Sequence, residues 1–423
     1  MDTKAVLGRP YLPRVMDAAV GEALDAAGAV LIEGVRACGK TMTGLNACAS
    51  YVFMDSPGAE RLLSIDPSQL LEGARPRLLD EWQLAPVLWN LVRRGVDAAA
   101  GRGNFILTGS AVPADDATRH TGAGRILRVR QRTLCWWEKQ GRPGGVSLAD
   151  LFDSRRPAAD LAAPTLDDVV GMLVQPGFPA MADLGERRSR TMLSGYVDEI
   201  VRTDIRRLAD IRHEPVVLER LIAAIARSVA TEVSYETLAK DVRPAAPNIK
   251  AETVASYVEL LRRLFFVETQ NAWAPSLRSR ARLRTSPKLH LADPALAVAA
   301  LGADSTRLKT DLTTLGFVFE SAAVHDLMVL ASPLGGEVLH YRDSNSHEID
   351  AIVALPDGRW GAVEVKLGGP QAEAGATSLA QAIAQIDTAA TGQPAFRLVV
   401  TGTGPTLNLP DGTITCPLSK LAP

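Results

Sequence analysis

This chain of 423 residues has few cysteines and a small net charge. None of the cysteines shows the CxxC spacing that zinc sites and redox pairs use, so we expect neither a disulfide framework nor a zinc site. They are Cys38, Cys48, Cys135 and Cys416. The formal net charge is only -2. No global field therefore attracts the protein to nucleic acid or to a membrane, and any such contact depends on a local patch.

Long hydrophobic runs are also missing from the sequence. Residues 1–14 contain no uninterrupted apolar stretch of the signal-peptide type, and apolar windows such as 28–32 and 295–301 are too short to span a bilayer. We therefore expect a cytoplasmic protein without membrane contact. The composition, 47% hydrophobic and 22% charged, is that of a globular protein, and its length predicts two or three domains.

Short apolar segments alternate with helical ones between residues 29 and 137. This alternation predicts βαβ units and a parallel sheet buried on both faces.

The segment at 29–33 leads into a full match to GxxxxGK[ST], the Walker A motif or P-loop. The match is Gly34-Val35-Arg36-Ala37-Cys38-Gly39-Lys40-Thr41. The two glycines permit torsions and close approaches that a Cβ would forbid, so that backbone N–H groups can surround a β-phosphate. Lys40 is expected to contact the β- and γ-phosphates, and the Thr41 hydroxyl to bind magnesium. The sequence thus predicts a site for ATP with Mg²⁺.

A second motif, at residues 77–81, is an apolar strand that ends in two carboxylates. Such a string is common by itself, but its position after a P-loop favours the Walker B role. Asp80 would hold magnesium, mostly through water, and Glu81 would act as general base on the attacking water. This motif predicts hydrolysis as well as binding.

Two further segments offer polar groups to the same site. The strand-like segment at 105–110 ends in polar residues, and Thr108 and Ser110 are candidates to orient the water or to sense the γ-phosphate. A strand merely capped by small polar residues is the alternative. Arg125, in a GAGR segment, is a candidate to neutralise transition-state charge in its own site or in that of a neighbouring protomer. A solvated arginine is the alternative there.

The region from 233 to 266 predicts two helices joined by a proline-bearing loop and followed by a strand, which is typical of a winged helix-turn-helix. Ser234 is the predicted N-cap of the first helix. Such a module places its second helix in a DNA major groove, where nearby arginines contact phosphates. These arginines are Arg262, Arg263, Arg278, Arg280, Arg282 and Arg284. A packing module with solvated arginines is the alternative.

Near the C-terminus, four charged residues follow a spacing typical of the PD-(D/E)xK nuclease fold. Glu320 lies on a predicted amphipathic helix, Asp350 opens a strand, and Glu364 and Lys366 end the next strand. Residues two apart in a strand share a face, so Glu364 and Lys366 point the same way. Asp350 and Glu364 would bind magnesium, and Lys366 would activate water. An inert, salt-bridged cluster in an interaction domain is the alternative.

In their order, the segments GVRACGKT, YVFMDSP, LLDEWQLAP, FILTGSA and GAGRI resemble AAA-type ATPases that carry a C-terminal DUF4143 region. The similarity continues through 177–179, 196–205, 288–294, 348–350 and 364–366, and so covers nearly the whole chain. The resemblance implies an AAA-like nucleotide domain, a winged-helix-like middle and a nuclease-like C-terminal domain. Cys38 departs from it, because a small residue is usual at that position.

We therefore expect an α/β P-loop domain at 1–150, a helical winged-helix-like domain at 151–285 and an α/β restriction-endonuclease-like domain at 286–423, with DUF4143 spanning roughly the last two. The expected function is Mg²⁺-dependent ATP binding and hydrolysis that drives a conformational switch coupled to nucleic acid. Lys40, Glu81, Ser110 and Arg125 are its expected catalytic residues. An ATP-gated nuclease and a non-hydrolysing, ATP-binding DNA regulator are the alternatives. DNA and a second copy of the chain are the candidate partners.

Overall fold

The computed structural model describes residues 3–99, 101–110, 122–209, 214–274, 286–345 and 347–423. Its contacts divide the chain into two compact units. Unit 1 comprises Met1–Thr133, Phe178–Ala180 and Leu260–Phe266, and unit 2 comprises Leu134–Gly177, Met181–Glu259 and Val267–Pro423. The sequence favoured a boundary near residue 150. The division falls earlier because residues after Thr133 bond within unit 2, where the Trp136 amide donates to Asp326 over 2.8 Å.

Unit 1 contains a five-stranded sheet in the order β2-β3-β4-β1-β5. All its pairings are parallel, which confirms the predicted parallel sheet. The strands are β1 (Ala29–Glu33), β2 (Ser50–Phe53), β3 (Arg77–Asp80), β4 (Phe105–Gly109) and β5 (Ile126–Arg130). The helices are α1 (Thr3–Leu7), α2 (Asp17–Ala26), α3 (Lys40–Ala47), α4 (Pro57–Ile65) and α5 (Val87–Ala98).

Alternate side chains of the central strands pack on opposite faces of this sheet, as the continuous apolar runs predict. On one face Leu31, Leu79 and Leu107 pack with α5. On the other, Val30 and Ile106 pack with residues of α2 and α3. Because the strands are parallel, their carboxyl ends meet at one edge. The P-loop follows β1 at that edge, Asp80 ends β3 there, and Ser110 follows β4.

The first part of unit 2 is mainly helical. Its elements are α6 (Trp136–Lys139), β6 (Val146–Ser147), α7 (Leu148–Phe152), α8 (Leu166–Val174), α9 (Glu186–Glu199), α10 (Ile205–Leu208), α11 (Pro215–Arg227) and α12 (Tyr235–Val242), followed by α13 (Ala251–Arg263), which continues into unit 1. The predicted N-cap is confirmed, since the Ser234 hydroxyl accepts a hydrogen bond from the Thr237 amide at 3.1 Å.

After α13, β7 (Val267–Gln270) pairs antiparallel with β8 (Lys288–Leu291). The succession of α12, α13 and this pair is what a winged helix-turn-helix would need, and the winged helix stays a prediction. Four of its predicted phosphate-contacting arginines lie outside the described residues. They are Arg278, Arg280, Arg282 and Arg284.

The C-terminal part of unit 2 is built on a six-stranded mixed sheet in the order β13-β14-β12-β11-β10-β9. Its strands are β9 (Glu337–Arg342), β10 (Glu348–Ala354), β11 (Trp360–Lys366), β12 (Arg397–Thr401), β13 (Leu407–Asn408) and β14 (Ile414–Pro417), and β15 (Leu421–Ala422) pairs with β6. The helices are α14 (Pro294–Ala300), α15 (Ser305–Thr310), α16 (Leu312–Leu330), α17 (Ala372–Ile383) and α18 (Thr388–Thr391). Gly375 lets α17 pack closely on the sheet, because a Cβ at this position would lie 3.2 Å from Lys366 Cγ.

One described helix, α16, has the length and composition to cross a bilayer, with 61% of its most apolar window buried in the structure. The sequence analysis predicted no membrane-spanning segment, because the apolar windows it named, such as 28–32 and 295–301, are too short. Burial within unit 2 accounts for the apolar composition of this helix, because a core helix needs the same residues as a membrane span.

Candidate functional site

The P-loop connects β1 to α3, and its two glycines are required for different reasons. Gly39, the residue before α3, has a φ of 103°, which side chains other than glycine rarely tolerate. A Cβ on Gly34 would lie 2.0 Å from the backbone oxygen of Gln131. The loop therefore depends on torsional freedom at Gly39 and on close approach at Gly34. Between them, Ala37 also has a positive φ, of 63°.

Lys40 is held inside the curve of this loop. Its side chain is 4% exposed, and Nζ donates to the carbonyl oxygens of Gly34 at 3.0 Å and Val35 at 2.9 Å. Helix α3 begins at Lys40, so the positive end of the helix dipole adds to the ammonium charge. This concentration of positive charge favours an anionic ligand.

Two residues that the sequence analysis missed support the loop from outside. Arg14 is 4% exposed and donates to the carbonyl oxygens of Cys38 and Arg132, both at 2.9 Å. Gln131 Nε2 donates to the same Cys38 carbonyl at 3.2 Å. These bonds fix Cys38, which is itself fully buried, whereas Arg36 is exposed. No local sequence pattern indicates either support, because each spans many residues along the chain.

The predicted magnesium ligands lie together. Thr41 and Thr108 both hydrogen-bond the Asp80 carboxylate, with Thr108 Oγ1 2.6 Å from Asp80 Oδ1. Burial raises the pKa of Asp80 above its usual range, while these two hydroxyls and the Lys40 charge oppose the rise. Asp80 thus lies between the helix that carries Thr41 and the neighbouring strand β4. A cation beside it would be bound by carboxylate and hydroxyl oxygens, which suit Mg²⁺.

Glu81, the predicted general base, is held by Ser110 and by Gln83, a residue that the sequence analysis missed. The Ser110 hydroxyl donates to Glu81 Oε2 at 3.3 Å, and Gln83 Nε2 donates to the same oxygen. The Glu81 backbone is left-handed, with φ of 57°, and its amide donates to Thr108 Oγ1 at 3.0 Å. The residues at the ends of β3 and β4 therefore orient this carboxylate.

Arg125 lies at the opposite end of the sheet from the P-loop. Its carbonyl accepts a hydrogen bond from Ala29, the first residue of β1, whereas the P-loop follows the last residue of that strand. A strand of this length spans about 16 Å. The Arg125 guanidinium instead pairs with Asp97 at 2.6 Å. This position does not favour a role for Arg125 in the site of its own chain, and a role in a neighbouring protomer stays a prediction.

A pocket of about 280 Å³ opens beside the P-loop. Its lining includes Lys40, Thr41 and Glu81 together with Tyr11 and Pro179. The Tyr11 hydroxyl donates to Asp17 and lies 3.3 Å from the Thr43 hydroxyl. Burial and the Asp17 carboxylate raise the pKa of Tyr11, which keeps its ring neutral. The pocket thus joins the polar P-loop groups to a less polar wall.

In unit 2 the structure brings the four predicted nuclease-like residues together. Lys366 Nζ lies 2.7 Å from Glu364 Oε1, and Asp350 Oδ2 accepts a hydrogen bond from the Val365 amide at 2.8 Å. Lys288, which the sequence analysis did not assign to this site, lies 2.7 Å from Glu320. We refer to these side chains as the carboxylate cluster. It consists of Lys288, Glu320, Asp350, Glu364 and Lys366.

Within the carboxylate cluster Lys288 and Glu364 are buried, whereas Glu320, Asp350 and Lys366 are half-buried. Burial and the nearby Asp350 raise the pKa of Glu320 to about 8 and that of Glu364 to about 7. The ammonium groups of Lys288 and Lys366 oppose these shifts. Burial lowers the pKa values of the two lysines, but the surrounding carboxylates outweigh it and raise both. A pocket of about 530 Å³ lined by Glu320 and Lys366 lies beside the cluster.

Within the described part of the chain, no group of three or more His, Cys, Asp and Glu side chains is arranged to hold a metal ion. The predicted magnesium site at Asp350 and Glu364 has two carboxylates and stays a prediction. The Asp80 site is a different case, since magnesium in P-loop sites is held largely by nucleotide phosphates and water.

The five-stranded sheet of unit 1 is parallel throughout, and the GxxxxGK[ST] loop follows its strand β1. Residues 315–421 match the model of the DUF4143 family, and residues 166–307 match that of DUF8612; both are described as domains of unknown function. The chain thus carries a C-terminal DUF4143 region, as the resemblance implied. The region is shorter than predicted, because the match begins at residue 315 and DUF8612 covers most of the middle of the chain.

No curated protein matches the chain. Among solved structures, it is similar to a Walker-type ATPase of Pyrococcus abyssi, with 14% identity, a TM-score of 0.42, and coverage of 69% of this chain and 96% of that one. It is also similar to the FIGL-1 AAA domain in complex with ADP, with 13% identity, a TM-score of 0.18, and coverage of 59% and 84% respectively. At these values neither similarity supports a functional argument.

Proposed function

We propose that this chain binds ATP with Mg²⁺ at the P-loop, hydrolyses it, and uses hydrolysis to drive a conformational switch coupled to nucleic acid in the cytoplasm. The observation that carries the proposal is the arrangement of Lys40, Thr41 and Asp80. Lys40 is held within the loop by two carbonyls, and Thr41 hydrogen-bonds the buried Asp80. A cation-binding group and an anion-binding group thus lie side by side, as a metal–triphosphate ligand requires.

Each residue has a defined role in this proposal. Lys40 and the α3 N-terminus bind phosphate oxygens, while Thr41 and Asp80 would hold Mg²⁺, which would supply charge neutralisation when bound. Glu81 accepts a proton from a water molecule as the water oxygen attacks the γ-phosphorus. The bond between the γ-phosphorus and the β–γ bridging oxygen breaks, which gives ADP and phosphate. Ser110 and Gln83 hold the Glu81 carboxylate by hydrogen bonds.

Two variants separate binding from turnover. Lys40→Ala should abolish ATP binding in calorimetry, because it removes the ammonium from the loop. Glu81→Gln should leave binding intact and stop phosphate release, because an amide cannot accept the proton. Lys250→Ala and Glu60→Gln are matched controls at exposed positions and should behave like the parent. Equal turnover in Glu81→Gln and the parent would refute the general-base assignment.

Phosphate release by the parent protein distinguishes the proposed ATPase from a regulator that binds ATP without hydrolysing it. Release of phosphate above background, dependent on magnesium, is expected of an ATPase. Tight ATP binding with no measurable turnover would instead favour a regulator that binds ATP without hydrolysing it. A parent protein that ignores ATP at millimolar magnesium would remove the proposal altogether.

Coupling to nucleic acid is supported by the order of α12, α13 and the antiparallel β7–β8 pair, which is what a winged helix-turn-helix would need. We expect duplex DNA to change the rate of phosphate release, and the change to weaken steeply with salt. A rate that is identical with and without DNA and RNA at low salt would refute the coupling and leave the ATPase assignment standing.

A further inference from the structure

We propose that the ammonium group of Lys288 takes the place of a divalent cation in the carboxylate cluster, so that the chain neutralises the cluster itself and excludes magnesium and manganese. This inference goes beyond the ATPase proposal and does not depend on it, because all the residues concerned belong to unit 2. It assigns Lys288 a role that its sequence context did not indicate, and it predicts that the cluster is not a metal-dependent nuclease site.

Lys288 is fixed in the cluster by the strands around it. It is 7% exposed, and its Nζ lies 2.7 Å from Glu320 Oε1. In the β7–β8 pair Lys288 lies opposite Gln270, whose Nε2 donates to the Asp350 carbonyl at 2.8 Å and to the Leu339 carbonyl at 3.1 Å. The strand that carries the lysine is thereby linked to the strands that carry Asp350 and Leu339. The backbone of Lys288 is therefore held beside the strands that carry the carboxylates, and its Nζ is held by Glu320.

The chain already engages each carboxylate of the cluster. Glu320 pairs with Lys288, Glu364 Oε1 pairs with Lys366, and Asp350 Oδ2 accepts the Val365 amide. Mg²⁺ requires near-octahedral oxygen coordination and gives up its water reluctantly. A metal ion would have to displace these bonds while lying next to a fixed positive charge, which repels it strongly in a buried environment. The cluster therefore disfavours a divalent cation as long as Lys288 is present.

One oxygen shows where a cation would bind if Lys288 were removed. Glu364 is 5% exposed, and its Oε2 has no hydrogen-bond partner among the described residues. Loss of the Lys288 charge would leave the three carboxylates opposed by Lys366 alone, and a divalent ion would then restore the balance. We therefore expect Lys288→Met, which keeps an unbranched side chain one heavy atom shorter and without charge, to create a metal site that uses Glu364.

The test is a titration of the full chain with Mn²⁺ in the absence of nucleotide, with free Mn²⁺ measured by electron paramagnetic resonance. Parent and Glu364→Gln should bind the same amount of Mn²⁺, because neither binds it in the carboxylate cluster. Any Mn²⁺ at the P-loop is the same in both proteins and does not affect the comparison. Lys288→Met should bind one additional Mn²⁺ per chain, and adding Glu364→Gln to it should remove that ion. Lys309→Met, at an exposed lysine on α15, is the matched control and should gain none.

Two results would overturn the proposal. One is a Mn²⁺ ion bound by the parent and lost in Glu364→Gln, which would show that Lys288 does not exclude metal. The other is a Lys288→Met protein that gains no Mn²⁺ although its near-ultraviolet circular dichroism equals that of the parent. If Lys288→Met does not fold, the comparison of parent with Glu364→Gln still decides the question.

Discussion

Replacing Gly34 with alanine tests whether the close packing of the P-loop creates the nucleotide site. The new Cβ would lie 2.0 Å from the carbonyl oxygen of Gln131 and 3.1 Å from its carbonyl carbon, both backbone atoms. Because ordinary non-bonded contacts between heavy atoms are about 3.5 Å, the loop or residue 131 must move by more than about 1 Å. Overpacking of this kind costs about 1–3 kcal/mol of folding free energy.

The same displacement should affect binding more than stability. A misplacement of about 1 Å costs on the order of 100-fold where a site depends on geometry. We therefore expect Gly34→Ala to remain folded, with a lower midpoint of thermal unfolding, and to bind ATP with Mg²⁺ on the order of 100-fold more weakly in calorimetry. The displaced amides and the Lys40 ammonium would no longer converge on the phosphates.

Gly58→Ala is the matched control for this experiment. Gly58 lies in α4, and a Cβ added there would meet nothing within 4 Å. Alanine is a better helix former than glycine, so this variant should gain about 0.5–1 kcal/mol and bind ATP like the parent. A folded Gly34→Ala protein with the affinity of the parent would show that the Gln131 contact does not constrain the site, and would refute this reasoning.

Three further predictions concern single residues. Gln83→Ala should lower turnover by roughly tenfold without changing ATP affinity, because Glu81 loses a hydrogen-bond donor that orients it; unchanged phosphate release would contradict this. If Arg125 acts on a neighbouring protomer, a mixture of inactive Arg125→Ala and Glu81→Gln chains should recover activity, and a mixture that stays inactive would remove that role. Burial and the Lys288 charge lower the pKa of His290 to about 3, below its unfolded value of about 6.5, so the folded state binds fewer protons between these values. Stability should therefore fall as the pH drops through this window, by on the order of 5 kcal/mol from this residue, and His290→Gln should flatten the dependence in urea unfolding. The same pH dependence of the free energy of unfolding in the parent and in His290→Gln would refute this role of His290.

The parallel sheet and the P-loop of unit 1 could be predicted because their signals are local. Strands buried on both faces appear as continuous apolar runs, and the fixed glycines, Lys40 and Thr41 are adjacent in the sequence. The supports of the loop could not be predicted in this way. Arg14 reaches the carbonyls of Cys38 and Arg132 across 24 and 118 positions of the chain, and only the folded structure brings them together.

Strand polarity bears on the open question of Arg125, because it places this residue away from the P-loop of its own chain. Residues that precede a parallel strand lie at the opposite edge from those that follow one, and Arg125 precedes β5 whereas Gly34 follows β1. Thr108 and Ser110, at or after the end of β4, lie at the P-loop edge for the same physical reason, and their roles stay predictions.

The two buried lysines, Lys40 and Lys288, have different partners, and this difference predicts different chemistry. Lys40 donates to two backbone carbonyls, which orient the ammonium but carry no net charge. Its positive charge therefore remains available to an anionic ligand, and the α3 N-terminus adds to it. Lys288 donates to a carboxylate, so its charge is already neutralised. A buried ion pair of this kind is costly to break, because either partner left alone is an uncompensated charge. Phosphate binding is thus expected at Lys40, whereas Lys288 is expected to stay paired and keep a metal ion out.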